Sequence, residues 1–405
     1  MSAQPVQSRG TLREGAAASW RAVGSLRIPE VLLFFALIFE GPVLGLPVPL
    51  NQLVILTLLC LAVIRRPQFV MGRFQLLVPV FVVGLFYLTM VSAFSDISDD
   101  AFDWKRRLIR LGITAALLFV IASGRIDLRS GLVGFGLGLV ANAIAFYAGW
   151  APDHYGGTLS GFFEDKNVAG LAYGVIGILV VCLVQGAVPR LLLYSGMGYL
   201  VLLTDSRTSI SAYVAAGLWL LLAPRLPMLG RWLLGGGIWA GVIILAEDFA
   251  QIGRYSEREG SDALRARIDA ASRIKVGEGS WFGEGLGEAY VHLDDGTWLF
   301  HNSYWTALIE GGWPWYLLVL VVTVLVGLRP FAKDLTPAEV VGQAATIGLL
   351  ICAWRLGEVF FTVQWALVMS YAMLARLRAE GKVFTTRDPA ASVGPSGLPR
   401  SGRRA

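Results

Sequence analysis

Histidine is scarce in this chain: three in 405 residues, at His154, His292 and His301. His301 is followed by Asn302 and then by an apolar run, and it closes the longest polar stretch of the sequence, from Glu247 to Asn302. That stretch carries Arg254, Arg258, Arg265, Arg267, Arg273 and Lys275, together with Trp281, Phe282, Tyr290, Trp298 and Phe300. A connection much longer than about 15 residues inside a compact fold is functional or disordered, and so many aromatics need something to pack against. A cationic, aromatic-bearing lobe beside apolar segments fits an anionic, amphipathic substrate.

Three more basic residues stand where apolar segments begin or end. Lys166-Asn167 follows Gly161-Phe162-Phe163-Glu164-Asp165. Arg207 lies in Thr204-Asp205-Ser206-Arg207-Thr208-Ser209, and Arg355 in Trp354-Arg355-Leu356-Gly357-Glu358. An ionised side chain at the centre of a bilayer costs at least about 2.5–3.5 kcal/mol, so such groups face a cavity or an interface. Snorkelling to the interface accounts for any one of them. Their gathering on one side with the loop arginines favours a cavity.

The elements that must hold these residues are apolar. The chain is 55% hydrophobic and 16% charged, with mean hydropathy +0.62, against about 25% charged in soluble domains. Crossing roughly 30 Å of hydrocarbon takes about 20 apolar residues. The expected fold is all-α: a polytopic transmembrane helix bundle of about twelve spans with one large extracytoplasmic helical loop. The apolar segments lie near 31–46, 48–64, 75–94, 108–123, 131–150, 168–187, 190–204, 208–223, 232–246, 304–328, 340–354 and 358–375. The first two form a tight hairpin around Leu46-Pro47. A polar stretch, 1–28, precedes them with no cleavage-site pattern, so the first run is expected to stay as an anchor. The membrane domain is 29–379, with the loop at 247–303. The segment 380–405, rich in Pro, Gly, Ser and Arg, is expected to be disordered. The segment 1–28 is expected to be disordered as well, and both terminal segments are placed in the cytoplasm.

The net charge of +5 is spread between apolar segments and gives no nucleic-acid signal. Cys60, Cys182 and Cys352 all fall inside apolar runs, so neither a disulfide framework nor a CxxC metal pair is expected. No internal repeat is visible, which counts against an inverted-repeat transporter.

Basic residues set the orientation. With the N-terminus in the cytoplasm, the short connections at Arg65, Arg66 and Arg73, at Arg125 and Arg129, at Arg190, at Arg225 and Arg231, and at Arg329 and Lys333 face inward with both terminal segments. The long loop, the stretch Lys105 to Arg110, and Lys166, Arg207 and Arg355 then face outward.

Three blocks of the sequence resemble the O-antigen ligase and O-antigen polymerase superfamily of bacterial envelope glycosyltransferases. Gly161 to Gly170, with Asn167 at the entry to a span, is similar to one family block. Thr204-Asp205-Ser206-Arg207-Thr208-Ser209 looks like its T-x-SR-(G/T) block. The third is the loop, where an arginine-bearing helix (Leu264 to Ile274) leads to Trp281-Phe282-Gly283-Glu284-Gly285-Leu286-Gly287 and then to His301-Asn302-Ser303-Tyr304-Trp305. The family's histidine motif continues with nine residues and Gly-x-x-Gly; Gly312 matches the first glycine, while Trp315 replaces the second behind Pro314. That departure bears on helix packing, not on the histidine. The resemblance covers residues 160 to 330.

The resemblance implies a GT-C-like membrane glycosyltransferase at the outer face of the bacterial cytoplasmic (inner) membrane. Its donor is a polyprenyl-diphosphate-linked glycan, here an undecaprenyl diphosphate carrier. Its acceptor is a glycan or a lipid-linked glycan. Membrane lipids, a flippase and a chain-length regulator are the implied partners. The dominant need is to stabilise charge on the departing diphosphate in a water-poor site, and arginine's planar fork suits phosphate. Arg207 with Arg265 or Arg267 are the expected clamp; the two loop arginines are i and i+2 and point apart on a helix. His301 is the expected base for a sugar hydroxyl, since histidine titrates near neutrality. Lys166, Asn167, Asn302, Tyr304 and Arg355 are expected to contact substrate. Trp298, Phe300, Tyr304, Trp305, Trp313, Trp315 and Tyr316 are read either as stacking platforms for sugars and a greasy portal, or as an interfacial belt. Glu310 lies half a helical turn away from His301 unless Gly311 to Pro314 break the helix. Asp99-Asp100 and Asp294-Asp295 are read as solvated turn residues. No metal and no cofactor is expected, because cationic side chains take the metal's place.

Polymerase and ligase differ only in acceptor, and no residue names it; exopolysaccharide or O-antigen assembly is the shared setting. A polytopic transporter or flippase is the competing class, and a non-catalytic scaffold of glycan export is a third.

Overall fold

The structure, a computed structural model, describes residues 26–41, 48–95, 101–248, 259–293 and 296–381. Several expectations fall outside these residues: the two terminal segments almost entirely, the turn at Leu46-Pro47, Arg254, Arg258, and both Asp-Asp pairs.

Thirteen helices are described: α1 Ile28–Ala36, α2 Leu50–Val63, α3 Leu77–Phe94, α4 Trp104–Ala122, α5 Leu128–Tyr147, α6 Lys166–Val180, α7 Ala187–Leu203, α8 Arg207–Leu222, α9 Met228–Asp248, α10 Glu259–Glu278, α11 Ser303–Thr323, α12 Pro337–Arg355 and α13 Val363–Ala379. One short antiparallel hairpin, β1 Tyr290–Leu293 with β2 Gly296–Leu299, pairs Tyr290 with Leu299. Each apolar segment read from the sequence overlaps one of these helices, although α1 covers only the start of the first.

Among the described residues, five helices are long and apolar enough to cross a membrane: Gly72–Phe94, Leu128–Tyr147, Lys166–Leu183, Ser303–Leu328 and Pro337–Arg355. Shorter apolar helices lie at Leu50–Val63, Ala187–Leu203 and Met228–Ile244. The interior is built on α6, α12 and α13. Every residue of α6 from Ala169 to Val180 is buried, as is α13 from Gln364 to Ala375. Around them the peripheral helices expose Val82, Val83, Phe86, Leu191, Leu192, Leu229 and Leu233. An apolar rim of this extent suits a lipid surround rather than water.

Several buried polar groups in the bundle find partners there, as a low-dielectric interior favours. The Trp365 indole donates to Thr323 Oγ1 at 3.0 Å, and the Trp219 indole to Gln343 Oε1 at 3.1 Å. Buried Glu30 pairs with Arg65 and, at 3.5 Å, with Arg27.

Between α9 and α11 the long connection folds on itself. α10 is amphipathic: Leu264, Ile268 and Ala271 form one stripe, which packs on Ala289, Val291, Phe300 and Ile309. Lys275 pins it to the hairpin by donating to the carbonyls of Glu288 (2.8 Å) and Tyr290 (3.2 Å). The sequence reading anticipated the helix but not the hairpin. Two four-residue strands are too short for a visible alternation, and they form because α10 and the start of α11 cover one face.

α11 breaks after Glu310. Gly312 has φ 61°, and a Cβ there would lie 2.1 Å from the Trp281 carbonyl oxygen, so only glycine fits this crossing. The 281–285 turn takes up the backbone groups that the break releases. Glu284 N donates to Ile309 O at 2.7 Å, Gly285 N to Glu310 O at 3.2 Å, and Trp313 N to Trp281 O at 2.9 Å.

Candidate active site

Three helix starts converge at one end of the bundle. Asp165 caps α6: its Oδ1 accepts from Asn167 N (2.7 Å) and Val168 N (3.0 Å). This places Lys166 and Asn167 in the first turn. Its other oxygen accepts from the Tyr155 hydroxyl at 2.8 Å, and Lys166 Nζ lies 5.5 Å from the Tyr155 ring centre. Burial, then the bond to Asp165, push the Tyr155 phenol up to about 12, so it stays a donor. α8 starts beside α6, because the buried Ser206 hydroxyl donates to Asn167 Oδ1 at 3.3 Å and bonds Ser209 Oγ at 3.0 Å. Asp205, with φ 51°, makes the sharp entry. Arg207 is then the first residue of α8.

Asn302 caps α11, its Oδ1 accepting from Tyr304 N (2.9 Å) and Trp305 N (3.3 Å). His301 therefore sits one residue ahead of the helix start. Gly357 lets it approach the end of α12: a Cβ there would lie 2.0 Å from Phe300 O. Arg355, the last residue of α12, donates to Asp269 Oδ2 on α10 at 3.2 Å, and its guanidinium lies 4.6 Å over the Trp354 ring. Asp269 is one helical turn from Arg265 on the same face of α10.

These residues line one cavity of about 1310 Å³. Its polar end holds Lys166, Asn167, Arg207, Arg265, His301 and Arg355, with Asp165, Asp205 and Asp269 as the carboxylates. From there it continues between α8 and α9 along Val214, Leu218, Leu233, Leu234, Ile238 and Val242, beside Gly237 and Gly241. Arg207 to Leu218 spans about 16 Å at 1.5 Å rise per residue, which is how far the cavity reaches along α8. Helix N-termini present backbone N–H groups and positive dipole ends, and the starts of α6 and α8 add these to the cations.

The pKa of His301 is lowered from the usual 6.5 by burial first and by Arg265 second, with Asp269 and Asp165 opposing. Its Nδ1 is buried without a hydrogen-bond partner. The lowered pKa favours the neutral ring, the form a proton acceptor needs.

Six of the nine residues singled out from the sequence line this cavity. The other three do not, each for a physical reason. Arg267 is two residues from Arg265, which turns it to the exposed face of α10. Asn302 is buried as a cap. Tyr304 is turned into the bundle, its hydroxyl donating to Leu350 O at 2.8 Å.

The aromatics around the histidine are likewise packing groups. Phe300 is buried in the α10–hairpin cluster with Trp298 and Trp305 against it, and Trp315 stacks on Phe361 at 5.2 Å. Trp313 packs on Trp281 and Tyr316. The rings that line the cavity are Tyr155 and Trp354, which the sequence reading passed over. Asp165 and Asp269 were missed too; each had a signal, one as a cap ahead of a span and one at i+4 from Arg265. His154 and His292 lie outside the lining; His292 Nδ1 bonds Thr297 Oγ1 at 3.0 Å on the hairpin. Glu310 faces away from His301 and pairs with Arg107 at 2.5 Å. Among the described residues, no three His, Cys, Asp or Glu side chains gather as a metal-ligand group. In comparisons of the chain with known proteins, no family model and no curated protein matches it.

Proposed function

We propose that this chain is a polytopic glycosyltransferase of the bacterial cytoplasmic membrane, with its thirteen described helices supplying about twelve spans and the α10–hairpin lobe on the outer side. It transfers or polymerises glycan from a polyprenyl-diphosphate donor in the manner of the O-antigen ligases and polymerases. The observation that carries this reading is the single cavity that joins a cationic, histidine-bearing end to a long apolar strip. A lipid-linked diphosphate has that same two-part chemistry.

The reaction follows from the placement. His301 takes the proton from an acceptor hydroxyl, whose oxygen attacks the anomeric carbon of the donor sugar. The bond from that carbon to the diphosphate oxygen breaks, and the electron pair leaves with the lipid diphosphate. Arg207 and Arg265, with the N-termini of α6 and α8, hold the charge that develops there, where a water-poor site makes each contact count most. Arg355 is kept in place by Asp269 and Trp354, and Lys166 by Tyr155.

The test is glycan analysis after deletion of the gene in its host. Loss of chain length with single repeats retained identifies a polymerase, and full-length unattached polymer identifies a ligase. Unchanged envelope and secreted polysaccharide would end this reading.

A further inference from the structure

A second cavity, of about 640 Å³, lies at the other end of α8. It is formed where the α8–α9 connection meets the α11–α12 connection, and Arg225, Arg231, Lys333 and Asp334 supply its charges. α8 has 16 residues, so this cavity sits about 24 Å along the helix from Arg207.

Arg231 is only 6% exposed. Its guanidinium donates to the carbonyl oxygens of Ala332 (2.5 Å) and Lys333 (2.8 Å), and among the described residues it makes no ion pair with a carboxylate. Buried charges are ordinarily matched by an opposite charge, because carbonyl dipoles repay only part of the desolvation cost. Arg225 and Lys333 bring two further cations against the single carboxylate of Asp334. Asp334 acts on Arg231, but three cations against one carboxylate leave the site net positive, with room for an anion.

The surface next to it identifies the source of that charge. Trp232 and Phe331 form an exposed ring pair, 5.7 Å between centres, and the Trp232 indole donates to Pro330 O at 2.8 Å. Leu229 is exposed beside them. Tryptophan at the headgroup level, next to basic residues, is the arrangement that membrane interfaces select, and basic pockets between membrane helices take anionic headgroups.

We propose that this pocket binds the phosphodiester headgroup of an anionic phospholipid. Arg225, Arg231 and Lys333 contact the phosphate, and the acyl chains run over Trp232 and Phe331. The site holds the foot of α9, one wall of the apolar strip, against the α11–α12 connection. It stands independently of the transfer reaction.

The test uses the full chain purified in detergent, with native mass spectrometry to count retained phosphatidylglycerol and phosphatidylcholine. Wild type is expected to retain phosphatidylglycerol in preference to phosphatidylcholine. Because Arg231 is buried and its loss could unfold the protein, the informative variant is Arg225→Gln with Lys333→Gln, expected to lower retention at least tenfold. Arg129→Gln, at an exposed basic residue outside the pocket, is expected to leave it unchanged. Trp232→Ala is expected to weaken phosphatidylglycerol binding several-fold while leaving binding of glycerol 3-phosphate as it was. Equal retention of the two lipids, or full retention by the double variant, overturns the site. Displacement of the lipid by inorganic phosphate at matched concentration overturns the lipid assignment in favour of a free phosphate.

Discussion

Two clusters of charged side chains lie on the same half of this bundle, and they are built differently. In the first, Arg107 on α4 pairs with Glu310 on α11 at 2.5 Å and also with Glu358, while Arg110 reaches Glu358 at 2.6 Å. Glu310 also accepts from Gly287 N at 3.0 Å. Here each cation meets a carboxylate, and the cluster ties α4, α11, the 283–287 turn and the end of α12 together. In the second, Lys166, Arg207, Arg265, Arg355 and His301 face a cavity, and two of the carboxylates there are held by other tasks: Asp165 caps α6, and Asp269 pairs with Arg355. The first cluster fixes geometry. The second lines a cavity, where its side chains can also meet a ligand. Arginine content alone does not separate them; the cavity does.

Substitutions on the two sides of this contrast should fail in different ways. His301→Ala should show the largest effect, a loss of about 10² to 10⁴-fold in transfer, with unchanged protein level and thermal stability. In vitro transfer from a purified lipid-linked donor measures it, and full turnover by the variant would remove His301 from the mechanism. His154→Ala, outside the cavity, should behave as wild type.

Arg107→Met should instead destabilise the fold. Glu310 is 3% exposed, and removing one partner of a buried pair typically costs about 3–5 kcal/mol. Thermal unfolding in detergent should show a clearly lowered midpoint, and transfer per folded molecule should fall only as the structure loosens. A variant as stable as wild type would show that the first cluster is not structural. Arg207→Ala should do the reverse, losing at least about tenfold in turnover, the equivalent of a charged hydrogen bond at about 1.5–3 kcal/mol, with its unfolding midpoint lowered less than that of Arg107→Met. Lysine should restore little, because it lacks the planar fork.

The contrast also shows what the sequence could and could not say. The helices were legible because apolar runs announce them, and Lys166, Arg207 and Arg355 stood out as ions at the edges of those runs. The choice between Arg265 and Arg267 was not legible, since it depends on which face of α10 Leu264 and Ile268 bury. Tyr304 and Asn302 looked like site residues because they flank His301, yet one is turned toward α12 and the other is spent on capping. The apolar strip between α8 and α9 was invisible, because lipid-facing, core and groove leucines read alike in one dimension. Only the pairing of helices tells them apart.

A smaller effect tests that strip. Gly237 lines it, and a Cβ there meets nothing within 4 Å, so Gly237→Leu should fold and project into the groove. The expected result is a several-fold higher KM for a long-chain donor, with kcat little changed and a short-chain donor analogue unaffected. Equal effects on both donors would show that the strip does not hold the lipid.

The smallest effect is a shift of the pH profile. A general base works only when deprotonated, so kcat/KM should rise with pH through the pKa of His301. Burial, then Arg265, hold that pKa below 6.5, while Asp269 and Asp165 pull it upward. The acid limb should therefore lie below pH 6.5. Two substitutions should move it in opposite directions. Arg265→Gln removes a neighbouring positive charge, makes the imidazolium easier to form and shifts the limb to higher pH. Asp269→Asn removes a negative charge and shifts it lower, although the variant also loosens Arg355. Each variant loses some activity, so the position of the limb is the readout and its height is not. Opposite shifts would identify His301 as the titrating group, because no simple loss of stability moves a pKa in a direction set by the sign of the removed charge. A limb that stays in place in both variants would assign the proton transfer to another residue and leave the cations as the part of the site the chemistry uses.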